Sequence, residues 1–395
     1  MLLTAGTRGD IEPFVALARY AAARGHQVRL GLTEGSGMPS GVDAVGLDLD
    51  LRRVLRLPGR TPWALVRHLG REVRPGMRRM LAAAVRETVA FAPDVVVHHA
   101  LVLSAPMAAD ALGVPRVLVE LAPVATPSEA FPAAGGPTAT HDLGRWNRRT
   151  YAVPRAAARV FDPEVARAAA QLPSGRRPAS RTSSRATLMA VSPQLLPRPR
   201  DWPARVHLTG AWHDDAVATP VDPAVADFVR DGGHLVASFG SMAVGDAEAR
   251  GRAIVGGARA HGLRVLLVNG WGGLALPDDL RGADVLEVRS APFAAVMPGA
   301  ALAVHHGGAG TTHTVARAGV PSVVVPITAD QPFWGAQLHR RGIAARPIPV
   351  RRLTTPVLVP AMGDALARGA RAADVGRAMR QENGLGAALD VLTSL

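Results

Sequence analysis

The sequence predicts an α/β protein of doubly wound parallel sheets. Three observations predict it. Residues 2–32 and residues 301–326 each read as strand, glycine-rich turn, helix and strand, the repeating unit of a parallel sheet. Short apolar runs without polar alternation, at 235–239 and 301–304, mark strands buried on both faces. A chain of 395 residues that is 48% hydrophobic can build two or three domains with cores of their own.

Composition narrows the class. There is no cysteine, so neither a disulfide framework nor thiol chemistry is expected. No uninterrupted apolar run reaches the roughly 18 residues of a membrane span. Residues 1–6 are too short for a signal-peptide core and read as a strand, so a cytoplasmic protein is expected. The net charge of +13 comes from arginine alone, since the chain holds no lysine, and the bias toward Ala, Gly, Pro and Arg looks like that of a GC-rich genome. Such charge suits nucleic acid or an anionic membrane surface. Aromatic content of 4% and the dispersion of the arginines argue against nucleic acid. Contact with anionic lipid or an acidic acceptor stays open, the densest clusters being 145–159 and 176–185.

Taken in order, residues 2–6 form a first strand, followed by the turn Thr7-Arg8-Gly9-Asp10-Ile11-Glu12-Pro13. Proline suits the first turn of a helix. Phe14, Leu17, Ala18 and Ala21 keep helical spacing, Gly25 closes the helix, and residues 27–32 are the next strand. Asp10 sits above the first strand, where aspartate acts as a helix N-cap or as a general base at the mouth of the sheet. Residues 42–57 read as strand and loop. Residues 61–92 read as largely helical, with Leu65, Leu69, Val73, Met77, Met80, Leu81 and Val85 on one side. Residues 94–99 form a strand ending in His98 and His99, on the same rim as Asp10. Each histidine is structural and hydrogen-bonded, or one of them touches an acceptor or serves as base. A helix at 106–112 and a strand at 116–120 lead into a loop at 121–140, long enough to be functional or mobile. A basic helical stretch at 142–171, a polar loop at 172–185 and a strand at 187–192 follow. Three prolines at 195–203 read as a linker.

In the second half, the strand at 235–239 runs into Gly240-Ser241-Met242, and a helix at 247–261 with strands at 264–269 and 285–288 continues the alternation. The most informative stretch is 305–331, HHGGAGTTHTVARAGVPSVVVPITADQ. An apolar strand stops at His305 and His306. The glycines after it let backbone N–H groups approach a ligand closely. Residues 312–318 read as a short helix, closed by Gly319 and Pro321, and residues 322–326 as the next strand. A helix N-terminus has unpaired N–H groups and about half a unit of positive charge, which makes an anion site, most often for phosphate. His306 and Asp330 both follow strand ends, where ligands of a doubly wound sheet sit. The pattern is neither the GxGxxG dinucleotide turn with its acidic partner nor GxxxxGK[ST]. Residues 365–395 end the chain in helices.

HHGGAGT followed by GVPxxxxPxxADQ resembles the C-terminal half of the GT-B nucleotide-sugar glycosyltransferases of family 1, in particular their bacterial antibiotic and sterol branch. The opening GTRGDIEP resembles the GSRGDxxP start of the same enzymes, and VHLTGAW at 206–212 and SFGS at 238–241 fall in the matching order. The resemblance implies two Rossmann-like domains facing across a cleft: residues 1–200 for the acceptor and 206–380 for the nucleotide sugar, with a terminal helix, 381–395, crossing back. It implies donor contacts from Gly240, Ser241, Ala291, His306, Gly308, Ala309, Gly310, Thr311, Asp330 and Gln331. The pyrophosphate would lie on the amides of residues 308–311 and on His306, and sugar hydroxyls on Asp330 and Gln331. Asp10 would be the catalytic base, His306 would face the leaving diphosphate, and Gly9, His98 and His99 would touch the acceptor beneath the loop 121–140. Phe293 stands where many relatives carry glutamine, and Thr314 where plant-type relatives carry a ribose-binding glutamate.

The reaction this implies is inverting transfer from a UDP- or dTDP-sugar to a hydroxyl, or to nitrogen or carbon, of a small-molecule natural product. It would use no cofactor beyond that cosubstrate and no metal, and no metal-ligand cluster stands out. The protein would be a monomer or homodimer with no nucleic-acid partner and no membrane span. A cell-wall or lipid-acceptor glycosyltransferase is the second reading, although the GGxGGH-like turn of that branch is absent. A non-catalytic binder of nucleotide sugar is the third, and a nicotinamide dehydrogenase the weakest.

Overall fold

The computed structural model of the protein describes residues 1–33, 37–50, 54, 62–173, 184–214, 220–240 and 245–395. Two parallel sheets organise the chain. The first contains β1 (Leu2–Leu3), β2 (Arg29–Leu32), β3 (Asp43–Gly46), β4 (Val96–His99), β5 (Arg116–Glu120), β6 (Ala186–Met189) and β7 (Val206–Leu208), in the order β3-β2-β1-β4-β5-β6-β7. The second contains β8 (His234–Ser238), β9 (Arg264–Val268), β10 (Val285–Val288), β11 (Leu302–His305) and β12 (Ser322–Val324), in the order β10-β9-β8-β11-β12. Both sheets thus wind outward from their first strand in one direction and then reverse, the doubly wound arrangement.

The apolar runs form central strands because helices cover both faces. Leu2, Leu30 and Val97 pack with Phe14 and Leu17 of helix Arg8–Ala22, while Leu3, Leu47 and Val96 pack with Met80, Leu81 and Val85 of helix Arg74–Phe91. In the second half, Leu235 and Val304 face Ile254 and Leu358, and Val236 and Ala303 face Val296 and Val315. Helix Gly384–Thr393 returns to the first half, where Leu385 and Ala388 join the cluster around Phe14.

Several expectations are corrected. Val206–Leu208, read as the entry to the second domain, pairs with Ala186–Met189 and is the last strand of the first sheet. The proline-rich stretch before it is no linker: Leu195, Leu196 and Trp202 are buried in a core cluster, because they cross from β6 to β7 over apolar ground. The loop 121–140, read as functional or mobile, is packed down at Phe131. Phe131 meets Trp202 and Phe333 edge-on, with ring centroids 5.8 Å away in each case, and so ties the loop to helix Gln331–Arg340 of the other half. The long helix at 142–171 is interrupted into short pieces, two of which carry Pro154 and Pro163. Residues 62–91 stay helical through a π turn at Leu69–Val73. Ser241, expected in the donor turn, lies outside the described residues.

Candidate active site

Each sheet reverses its winding direction at one place, between β1 and β4 and between β8 and β11. Ligands of such sheets bind beyond the carboxyl ends of those strands. Helix Arg8–Ala22 follows β1 and helix Ala309–Ala318 follows β11, and their N-terminal turns touch. A Cβ added to Gly310 would sit 3.1 Å from Cα of Gly9. Each helix tip carries about half a positive charge, so their apposition calls for negative charge nearby. Asp10 and Asp330 supply it.

Asp10 is not the helix N-cap. Thr7 is, and Asp10 completes a capping box from the third helical position. Thr7 N–H donates to Asp10 Oδ2 at 2.7 Å, and the Thr7 hydroxyl lies 3.1 Å from the same oxygen. Gly6, at φ +140°, leaves room for the carboxylate, since a Cβ there would fall 2.2 Å from Asp10 Oδ2. The helix starts at Arg8, so Pro13 lies inside it rather than in its first turn, and Gly9 C=O loses its usual i+4 donor. Strand alternation separates the two histidines of β4. His99 lies on the Phe14 face, ring centroids 6.2 Å apart, and its pKa is lowered by burial against the pull of the Asp10 charge. His98 points to the other face, is pushed down to about 4 by burial, and places Nδ1 3.2 Å from His99 O. The structure therefore brings His99 to Asp10 and keeps His98 away, which removes His98 from the expected acceptor contacts.

On the donor side, three glycines shape the space around His306. A Cβ on Gly308 would be 2.7 Å from His306 Nε2, one on Gly240 (φ +56°) 3.1 Å from His306 Cε1, and one on Gly270 2.2 Å from the Gly240 carbonyl oxygen. Burial lowers the His306 pKa to about 4, so the ring is neutral at pH 7 and offers an N–H rather than a full charge. Its Nδ1 is buried with no hydrogen-bond partner among the described residues. His305 turns inward, accepts from Gly307 N–H at 3.2 Å and is structural. The helix begins at Ala309, three residues earlier than its periodicity suggests, so the amides of Gly310 and Thr311 lie in the first turn, beyond reach of any intrahelical carbonyl.

Asp330 stands over this turn. Its Oδ2 accepts from Ala309 N–H at 3.2 Å. Burial, with the Asp10 charge as the next cause, pushes its pKa up to about 7. Ala329, just before it, is held at φ +56°, a left-handed conformation rare for residues with a side chain. Gln331 begins the next helix and is 4% exposed. Its Oε1 accepts from Ile327 N–H at 2.8 Å and Thr328 N–H at 3.0 Å, so the carbonyl end is spent on the backbone. Ala291 is buried among apolar neighbours and has only backbone to offer. Thr314 spends its hydroxyl on Gly310 O at 3.0 Å. Among the described residues no group of three or more potential ligands could hold a metal.

Three features escape sequence reasoning. Glu120, wholly buried at the end of β5, accepts from the amides of Val124, Ala125 and Thr126 at 2.9, 2.7 and 3.3 Å and from the Thr126 hydroxyl, which fixes the loop beyond it. A carboxylate closing an apolar strand was its one signal. Behind the cleft, Ser192 N–H donates to His313 Nε2 at 3.3 Å and Ser192 Oγ to Glu382 Oε1 at 2.6 Å. His313 Nδ1 in turn donates to Ala309 O at 2.8 Å, which ties the donor helix to the first half. Finally, a cavity of about 470 Å³, lined by Arg19, His213, Arg317 and Glu382 among others, lies on this rear junction and not at the glycine turns.

Comparison with known proteins fits this geometry. Residues 1–121 match the glycosyltransferase family 28 N-terminal domain, and residues 272–384 match the C-terminal domain of proteins like erythromycin biosynthesis protein CIII. The chain is 34% identical over 425 residues to the O-mycaminosyltylonolide 6-deoxyallosyltransferase of Streptomyces fradiae, covering 97% of this chain and 94% of that one. Among solved structures, the glycosyltransferase of kitacinnamycin superposes with a TM-score of 0.72 at 21% identity, covering 100% of this chain and 97% of that one. The glycosyltransferase VinC in complex with dTDP gives 0.64 at 22% identity, covering 100% and 98%. The chain belongs to the antibiotic branch of the GT-B glycosyltransferases, and it is an enzyme of sugar transfer.

Proposed function

We propose that the protein moves a sugar from a UDP- or dTDP-sugar to a hydroxyl of a small-molecule natural product, with inversion at the anomeric carbon. One observation carries the reading: the Asp10 carboxylate and the first-turn amides of helix Ala309–Ala318 are brought to the same point by the contact of Gly9 with Gly310. A base for the acceptor and an anion site for the leaving group then flank one reacting centre.

In this mechanism the diphosphate rests on the N–H groups of Gly308, Gly310 and Thr311, and the neutral His306 ring adds an N–H. As the bond from the anomeric carbon to the diphosphate oxygen breaks, the charge growing on that oxygen meets fixed dipoles that need no reorganisation. Asp10 accepts the proton of the acceptor hydroxyl as its oxygen attacks from the opposite face. Asp330, poised near neutrality, and the NH₂ of Gln331 hold sugar hydroxyls, and the backbones at Gly240 and Ala291 serve the phosphates and the base. His99 borders the acceptor beside Gly9. VinC carries dTDP in its structure, and the deoxysugar transfer in the name of the Streptomyces fradiae relative favours dTDP as the first donor to try. The functional unit would divide after residue 208.

Asp10→Asn tests the assignment. Asparagine can still accept from Thr7, so the helix start survives. Turnover should fall by about 10² to 10⁴, the usual worth of a general base, with nucleotide affinity retained. Unchanged turnover would remove Asp10 from this role.

A further inference from the structure

Residues 141–163 form a surface that carries none of the donor or acceptor groups named above. Helix Ala152–Arg159 has no buried residue. Leu143, Trp146, Val153 and Val160 are 40%, 45%, 47% and 41% exposed. Interleaved with them are Arg145, Arg149, Arg155 and Arg159, all exposed, while Arg148 pairs with Asp201 at 3.3 Å, and no acidic residue occurs between Leu143 and Val160. Arg149 stacks on the Trp146 ring at 3.9 Å and Arg145 at 5.3 Å. At 100° per residue, Val153, Ala156, Ala157 and Val160 share one stripe, with Arg159 flanking it and Arg155 on the opposite, polar side.

The exposure is held in place. Asn147 is wholly buried and donates to Glu129 O at 2.9 Å and to Asp142 Oδ1 at 2.7 Å, while its Oδ1 accepts from Leu143 N–H at 3.0 Å. Ala133 N–H donates to Thr150 Oγ1 at 2.8 Å, and Tyr151 is buried with its hydroxyl 3.3 Å from Phe131 O. The segment is thus pinned from beneath by polar bonds, with an aromatic ring, aliphatic side chains and guanidinium groups left outside. A second copy of this patch would repel it, arginine against arginine.

We propose that this face is a peripheral docking site for an anionic membrane surface. Arginines beside a shallow apolar stripe with a tryptophan are what a helix lying in the headgroup layer presents. The guanidinium groups meet lipid phosphates, and Trp146 and Val153 enter the acyl boundary. An acidic protein would be attracted by the same charge, and the competition arm of the test separates it from lipid. The face lies outside the donor and acceptor groups of the transfer reaction, so it stands independently of that chemistry.

Flotation of the full-length protein with vesicles tests it. The protein should float with phosphatidylglycerol vesicles at low salt, stay down with phosphatidylcholine, and be released as ionic strength rises. The double variant Arg155→Glu/Arg159→Glu should lower partitioning more than tenfold, at about fivefold or more per charge. Trp146→Ala should lower it several-fold while transfer to a soluble acceptor is unchanged. Far-ultraviolet circular dichroism confirms that the variants fold. No flotation with phosphatidylglycerol overturns the proposal. So does flotation indifferent to both variants, and so does Trp146→Ala matching wild type while polyglutamate competes fully, the mark of an acidic polypeptide partner.

Discussion

At the scale of single residues, the site turns on two carboxyl groups with different environments. Asp10 is bound by its capping box and by the space at Gly6, while Asp330 is recessed, lies near the Asp10 charge and is lifted to about 7. A carboxyl group raised on folding stabilises the fold fully below its ordinary value of about 3.8, and that contribution fades as pH rises through 7. Asp330→Asn should therefore raise the melting temperature at pH 8 and leave it nearly unchanged at pH 4, as measured by calorimetry. A gain of equal size at both would show that Asp330 is not lifted. Gly6→Ala should act through Asp10, because its Cβ falls on Oδ2. We expect kcat to drop at least tenfold with donor affinity intact, and an unchanged kcat would show that the carboxylate position does not matter. Asp10, His306 and Asp330 were singled out because each follows an apolar strand or glycine turn, and their functional roles rest on the proposal. The loss of His98 was not, since adjacent residues of a strand face opposite ways and the sequence did not say which face held the cleft.

At the scale of elements, the decisive structures are two helix starts. Helix Ala309–Ala318 puts Gly310 and Thr311 in its first turn, and the neighbouring helix brings Gly9 against it. Gly310→Val adds bulk where only 3.1 Å separates the Cβ position from Gly9 Cα. It should cut kcat/KM by more than tenfold by prising the two tips apart, and an unchanged kcat/KM would mean the contact is not needed. The strand–turn–helix rhythm was legible from hydrophobic period and glycine position. The capping box was not read because Pro13, placed in the first turn, drew the helix start beyond Arg8. The burial of loop 121–140 was hidden for a related reason: Glu120 gathers its amides by contacts that local composition does not encode.

At the scale of the whole molecule, two sheets of the same winding order face one another through their reversal points, and the chain of Ala309, His313, Ser192 and Glu382 holds the rear of the cleft. Both sheets were legible from the sequence. Their boundary was not, since β7 pairs with β6 across an intervening proline-rich crossover that reads as a linker. The claim on which the rest depends is that the amides of Gly308, Gly310 and Thr311 hold a diphosphate. Amide chemical shifts of isotope-labelled protein titrated with dTDP test it directly. Gly308, Gly310 and Thr311 should shift together and saturate, with thymidine alone leaving them in place. Saturating dTDP binding that leaves these three amides unmoved would contradict the account.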